Sequence, residues 1–353
     1  MAADLTLLRL DGDGIGPEIM AATLTVLDAV RPAMSRGVTV ESADIGFGAL
    51  EARGTTIPDD VIARAQAADG VLLGPVSHNA YPPREAGGLN PSGVLRGALD
   101  LYANIRPARG WDGLPTRSAT RIDLVVVREN LEGFYADRNM HMGPGEVMPV
   151  PGVALATRKI TEAGSRRIAR AAFEIAMQRP ARKVTAVHKA NVMRLSDGLF
   201  LDTVRDVAKD FPDVIYEEEL VAATAALLVR DAARFDVLLT TNMFGDILSD
   251  LAAELAGGLG LAGSLNRGPH AAAAQAQHGS APAMAGQDVA NPSSLILSLA
   301  MLLRHLGEAA AAEQITAAIA ACLARPEHRT ADLGGPLGTR AFAAAVVRHI
   351  EDM

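Results

Sequence analysis

Cysteine is almost absent. The 353 residues contain one, Cys322, so no intramolecular disulfide can form and a zinc site built from several cysteines is excluded. That scarcity fits a reducing compartment, and a cytoplasmic protein is expected. Long apolar runs are lacking too. The longest are rich in alanine and glycine with polar interruptions, or short like Leu295–Leu303. None reaches the roughly 18–20 strongly apolar residues of a membrane span. Met1 to Leu10 has no basic region leading into an apolar stretch and a cleavage site, so it reads as a first strand and not as a signal peptide. Positive charge is not in excess: 33 Lys+Arg stand against 41 Asp+Glu, a formal charge of −8. This argues against nucleic acid as a partner, since such proteins concentrate a basic face. Small anionic substrates remain open, because clustered arginines reverse the local field. No period of about 20–50 residues marks a repeat protein.

The composition is a globular balance of 49% hydrophobic and 21% charged residues. At about 150 residues per domain, the length suggests two domains or one elaborated α/β unit, with a core that needs no staples. Leu5–Leu10, Val38–Ile45, Val71–Leu73, Ile122–Val127, Val184–Val187 and Val237–Thr240 read as strands. Ile19–Val30, Thr161–Gln178, Leu199–Lys209 and Ile247–Leu255 carry apolar residues at helical spacing, and the alanine-rich Glu308–Ala324 also reads as helix. The alternation predicts an α/β fold with a largely parallel sheet. Three Pro/Gly-rich stretches read as loops or excursions: Asn79–Gly93, Asp137–Pro151 and Asn266–Pro292.

Five constellations could carry chemistry. Asp11-Gly12-Asp13-Gly14-Ile15-Gly16-Pro17-Glu18 follows the first strand; its glycines let the backbone approach a ligand, or simply make a tight turn. It matches neither the dinucleotide fingerprint nor a Walker A loop. Arg96, Arg106 and Arg128 are a candidate carboxylate-binding set, or surface ion-pair partners; Arg128 closes a strand, where ligands bind in parallel sheets. Asp246 and Asp250 share a helical face after the apolar strand Val237–Leu239, which suits Mg²⁺ or Mn²⁺. The other reading makes Asp246 a helix cap and leaves Asp250 solvated. Lys189 follows a strand and is either a general base or an exposed lysine. The loop His278-Gly279-Ser280-Ala281-Pro282, with Asn291 further on, either wraps a nucleotide or is a plain surface loop.

In their order and spacing these pieces resemble the β-decarboxylating dehydrogenases, the isocitrate/isopropylmalate dehydrogenase family with its homoisocitrate and tartrate/D-malate branches. The resemblance runs from Gly12-Asp13-Gly14 to Asp332-Leu333-Gly334-Gly335. It implies an isocitrate/isopropylmalate dehydrogenase-like fold: a large parallel-sheet domain from residues 1–100 and 253–353, and a smaller α/β domain from 101–252 with the dimer interface and a clasping arm that includes Asp137–Pro151. It also implies metal-dependent oxidation and decarboxylation of a 3-substituted (R)-malate, a small 2-hydroxy di- or tricarboxylate. By resemblance, Arg96, Arg106 and Arg128 hold carboxylates. Asp246 and Asp250 hold Mg²⁺ or Mn²⁺. Lys189 takes the hydroxyl proton, reaching the site from the other subunit of a homodimer, and Tyr135 protonates the enol carbon. Ile15, His278, Gly279, Ser280, Ala281, Pro282 and Asn291 line the nucleotide.

Three departures stand out. Where the family has Val-Asp-Ala-Met-Ala, this chain has Val221-Ala222-Ala223-Thr224-Ala225, so the third metal carboxylate is replaced by Ala222; Glu218 or Glu219 are candidate substitutes. That replacement motivates an alternative, a non-catalytic or regulatory paralogue with an impaired metal site. The aspartate that marks NAD use is replaced by Ala283, and the NADP pattern is absent because Met284 follows, so NAD is preferred with NADP not excluded. Isopropylmalate enzymes place a leucine pair at the Ser92 and Gly93 positions. Isocitrate enzymes place serine six and asparagine four residues before the first arginine; here Asn90 and Ser92 stand there with the types exchanged. A polar or small C3 substituent is therefore expected.

Overall fold

A computed structural model describes residues 3–135 and 145–353. The strands are β1 Leu5–Leu10, β2 Val38–Ala43, β3 Gly70–Leu73, β4 Ala103–Arg109, β5 Asp123–Glu129, β6 Glu146–Val150, β7 Val153–Ala156, β8 Lys183–His188, β9 Ile215–Leu220, β10 Val237–Thr240, β11 Gly263–Arg267 and β12 Ala272–Ala276. The helices are α1 Gly16–Val30, α2 Phe47–Arg53, α3 Asp59–Ala67, α4 Pro91–Ala98, α5 Glu162–Met177, α6 Ser196–Ala208, α7 Val221–Asp231, α8 Asn242–Ala256, α9 Ser293–His305, α10 Ala309–Leu323 and α11 Thr339–Glu351. This is a mixed α/β fold. The chain divides into two compact units: Met1–Leu99 with Trp111–Pro115 and Gly257–Met353, and Asp100–Gly110 with Thr116–Ala256.

In the first unit the strand order is β2-β1-β3-β12-β11. β1 pairs parallel with β2 and β3, and β3 with β12, whereas β11 and β12 run antiparallel. All four residues of β3 are buried, as expected of a parallel strand covered on both faces. α1, α9, α10 and α11 supply most of the helical side of one core, which Trp111 joins; that contact draws Trp111–Pro115 out of the middle of the chain. The expected loop Asn266–Pro292 is corrected here, since it contains β12 and the end of β11. Alanines have weak strand propensity, so Ala272–Ala276 gave no strand signal. Packing demands small residues there: Ser264 Oγ donates to the Gln275 carbonyl at 2.8 Å, Ser298 Oγ donates to the same oxygen at 2.9 Å, and α9 lies over β11 and β12. The expected loop Asn79–Gly93 ends early, because α4 starts at Pro91 with Asn90 as its cap.

The second unit has the order β4-β5-β10-β8-β9. β5, β10, β8 and β9 are parallel neighbours and β4 is antiparallel to β5. β4 and β9 carried no clear strand pattern: β4 reads ANIRPAR with a proline and two arginines, and β9 reads IYEEEL with three glutamates. Sheet position decides both. α5 begins one residue after its expected start because Thr161 caps it, its hydroxyl accepting from Gly164 N–H at 3.0 Å. Of the expected excursion Asp137–Pro151, residues 137–144 lie outside the described residues. From Glu146 the chain forms the antiparallel hairpin β6/β7, every residue of whose strands is exposed.

Candidate active site

Strand periodicity assembles the charged centre of the second unit. Asn104 and Arg106 are two apart on β4 and so share a face; the register sets Asn104 opposite Arg128 of β5. Both guanidinium groups therefore project from one side of the sheet, with Arg106 6% and Arg128 2% exposed. α8 follows β10 and presents Asn242, Asp246, Ser249 and Asp250 to them. Arg128 Nε donates to Asn242 Oδ1 at 2.9 Å, and its Nη1 is ion-paired with Asp246 Oδ1. Arg106 Nη1 reaches Ser249 Oγ at 2.7 Å, Asp246 Oδ1 at 3.2 Å and Asp250 Oδ1 at 3.3 Å, while its Nε bonds Asn104. Tyr135 Oη lies 3.3 Å from Asp246 Oδ2. The helix approaches this closely because residue 245 is glycine: a Cβ there would sit 2.7 Å from Arg128 Cβ and Cγ.

Two buried cations side by side call for anions. Burial first, and the Arg128 charge second, push the Arg106 guanidinium down to about 10, while Asp246 and Asp250 pull it back up. Asp246 lies one turn inside α8, so it is not the helix cap. Asp250 is half-exposed yet ion-paired. The capping reading of Asp246 is thereby overturned, while Asp250 is exposed as that reading had it.

Tyr135 and the two arginines are thus brought together with both aspartates. Lys189 makes no hydrogen bond or ion pair with them among the described residues. Its Nζ has no ion pair among the described residues, and its backbone N–H donates to the buried Asp197 at 2.6 Å. Asp197 is in turn held by Arg158 at 2.6 Å, whose guanidinium lies over the Phe134 and Phe244 rings. Beyond Arg128, Glu129 accepts backbone N–H groups of Leu131 and Glu132 at 3.0 and 2.7 Å, and burial pushes its carboxyl up to about 7. Glu132 accepts from the Thr161 hydroxyl at 2.6 Å and so ties the Tyr135 segment to α5.

The first unit holds the remaining candidates. Asn90 Oδ1 caps α4, accepting from Gly93 N–H at 3.2 Å. Ser92 Oγ donates to Gln275 Oε1 at 3.1 Å, and Arg96 Nη2 reaches the same oxygen at 3.4 Å. Gln275 is a residue that sequence reasoning missed, because it lies in the stretch read as loop. Further along, Ile15, His278, Gly279, Ala281, Asn291 and Asp332 line a cavity of about 260 Å³. Gly12 and Gly14 have φ of +74° and +59°, and a Cβ on Gly14 would land on the Ser280 carbonyl. These glycines serve a close approach of the chain to itself: Ile15 N–H donates to the Ser280 carbonyl at 2.9 Å, and Ser77 and Ser280 hydroxyls lie 2.7 Å apart. Pro282 opens a short turn beyond Ala281, which adopts φ +38°. Asn291 sits in the cavity wall with its amide engaged at both ends, by Asp332 at 3.0 Å and Ser293 N–H at 2.9 Å. Asp332, quoted in the motif at the end of the resemblance but given no role, is a second missed residue.

Both groups fit ligands of definite chemistry. Asp246 and Asp250 offer carboxylate oxygens on one exposed edge, a donor set for a hard divalent cation. The cavity offers a base-sized space in which His278 Nε2 is shielded from water and has no partner among the described residues, while burial lowers the pKa of that imidazole. An adenine-type ring fits that environment.

Comparison with known proteins agrees with this picture. The profile of the family described as isocitrate/isopropylmalate dehydrogenase matches residues 6–346. The chain is 42% identical over 347 residues to an isocitrate/homoisocitrate dehydrogenase of Thermus thermophilus, covering 98% of each chain. It is 41% identical over 342 residues to a 3-isopropylmalate dehydrogenase of Archaeoglobus fulgidus, covering 97% of this chain and 98% of that one. Among solved structures, isocitrate dehydrogenase from Methylococcus capsulatus superposes with a TM-score of 0.89 at 39% identity, covering 98% of this chain and 99% of that one. The chain therefore belongs to the isocitrate/isopropylmalate dehydrogenase family, and it is an oxidoreductase.

Proposed function

We propose that the protein oxidises the 2-hydroxyl of a 3-substituted (R)-malate and releases the β-carboxylate as CO₂. The observation that carries this is the cluster of Arg106 and Arg128 against Asp246 and Asp250, with Tyr135 beside them. Asp246 and Asp250 would hold a divalent cation, Mg²⁺ or Mn²⁺, which when bound would supply Lewis-acid polarisation, and a bound nicotinamide would supply the hydride-accepting chemistry. Arg106 and Arg128 bind substrate carboxylates, exchanging part of their pairing with the aspartates for it. Lys189, contributed by the other subunit of a homodimer, takes the hydroxyl proton. Tyr135 returns a proton to the carbon that loses CO₂. The exposed hairpin β6/β7 and the lack of an ion-pair partner for Lys189 among the described residues support the dimer.

Arg96, Asn90 and Ser92 bind the remaining part of the acid. Their surroundings are polar: the oxygen of Gln275 receives both Ser92 and Arg96. An apolar C3 group would leave these donors without partners, so a polar or small substituent is favoured. Ile15, the stretch His278 to Pro282 and Asn291 hold the nucleotide. The exposed, uncharged Ala283 and Met284 offer nothing to a 2′-phosphate, which favours NAD. A cytoplasmic location is proposed, in keeping with the single cysteine of the chain; no helix among the described residues is long and apolar enough to cross a membrane.

The test is reduction of NAD and NADP, with and without Mn²⁺, by isocitrate, homoisocitrate, D-malate, tartrate and isopropylmalate. Metal-dependent turnover of one of the first four above isopropylmalate is expected. Isopropylmalate as the best acid would overturn the pocket assignment, and silence across the panel from folded protein would overturn the catalytic one.

The metal site is short of one carboxylate. Ala222 lies exposed in the first turn of α7. Glu218 is already engaged, since Arg205 grips it at 2.7 and 2.8 Å and Tyr216 donates to it at 2.8 Å, holding its carboxyl below the usual range. Ala222→Asp is therefore expected to lower the half-saturating Mn²⁺ concentration by about tenfold, since affinity at such sites follows ligand charge. An unchanged Mn²⁺ dependence would show that position 222 does not face the metal.

A further inference from the structure

Outside the site described above, the end of α10, the turn Pro326–His328 and the end of α11 bring together Cys322, His328 and His349. The cysteine sulfur and one ring nitrogen of each histidine all lie within 4.8 Å of one another. The two rings meet edge to face with centroids 5.4 Å apart, and His349 Nε2 is 3.3 Å from His328 Nδ1. All three residues belong to the first unit. Cys322 is buried, while both histidines are half-buried and open to solvent on one side.

A hydrogen bond would explain the two rings but not the thiol beside them. Two nitrogens bound to one tetrahedral ion at about 2.0–2.1 Å stand about 3.3 Å apart, and a thiolate at about 2.3 Å stands about 3.6 Å from each. The observed nitrogen separation matches that geometry. We propose that Cys322, His328 and His349 form a binding site for a borderline divalent ion of the Zn²⁺ class, with three protein ligands and a fourth position open to water. The sulfur and two nitrogens set this site apart from the all-oxygen pair Asp246/Asp250, which suits hard cations. The ion would pin the last turn of α10 to the last turn of α11.

The charged groups around the cluster act in both directions. Arg325 and Arg348 face the thiol and His349, favouring thiolate and opposing a cation; Asp352 faces His349 and favours the cation. A cysteine thiol ordinarily carries its proton at neutral pH. Coordination then breaks the S–H bond, forms the sulfur–metal bond and releases one proton to water.

The test is titration of chelator-treated full-length protein with Co²⁺. Cys322 is the sole thiol of the chain, so a thiolate-to-cobalt charge-transfer band can come only from this cluster. Expected are one saturating equivalent, about one proton released per ion in weak buffer, loss of the band when Zn²⁺ is added, and a rise in melting temperature with Zn²⁺. Cys322→Ser should abolish the band. His349→Ala changes a half-buried surface residue and keeps the fold. It should weaken binding by more than the ~10–100-fold cost of losing an outer-shell partner, and remove the thermal shift. Absence of a charge-transfer band in wild type, or undiminished binding in His349→Ala, would overturn the proposal.

Discussion

Asp246→Ala is expected to lower turnover by about 10³-fold or more, because it removes the anion that pairs with both buried arginines and that is proposed to hold the catalytic cation. Asp246 Oδ1 meets Arg128 Nη1 and Arg106 Nη1, and its Oδ2 meets Tyr135 Oη. Without it, two guanidinium groups that are 2% and 6% exposed face each other with, among the described residues, the half-exposed Asp250 left to compensate. Breaking a buried pair by removing one partner costs about 3–5 kcal/mol; Asp246 is itself partly exposed, so a loss of stability near about 2–3 kcal/mol is expected. Asp246→Asn keeps the shape and loses the charge, so it should melt closer to wild type while remaining as inactive in Mn²⁺. Turnover within about tenfold of wild type in either variant would remove Asp246 from the metal site.

Lys189→Met is expected to lower turnover by about 10²–10⁴-fold, the range of a lost general base, with little change in melting temperature. The stability side follows from geometry. The Lys189 side chain has no ion pair among the described residues, and the contact that orders this segment is its backbone N–H to Asp197, which methionine retains. A mixture decides which subunit supplies the lysine. Lys189→Met and Asp246→Ala chains, dissociated and reassociated in equal amounts, form hybrids in half of the dimers. If Lys189 acts across the interface, each hybrid has one intact site, and about a quarter of wild-type turnover returns. If Lys189 acts within its own chain, every site stays defective and no turnover returns.

Much of the fold was legible because the relevant signals are local. β1 and β10 have the predicted bounds, and α5 lies one residue inside its prediction at each end, since Thr161 is its cap and Gln178 its last-turn boundary. The strand residues of β10 are all buried, and three of the four are apolar, the pattern of a parallel strand covered on both sides. β4, β9, β11 and β12 were missed for a single reason. Their residue types, among them arginine, glutamate and alanine, are poor strand formers, and neighbouring strands impose the conformation.

The sequence by itself determined the family resemblance, the residue types of the charged centre and the missing carboxylate at Ala222. Each of these is a matter of which side chain stands at which place in a motif. Tertiary structure alone decided which of those residues meet. The β4/β5 register puts Arg106 and Arg128 on one face, and Gly245 lets α8 close on them. Chain folding brought Gln275 to Ser92 and Arg96, Arg205 onto Glu218, and Cys322 beside His328 and His349. Contacts between residues distant along the chain depend on strand register and helix packing, and a linear pattern read a few residues at a time carries no record of either.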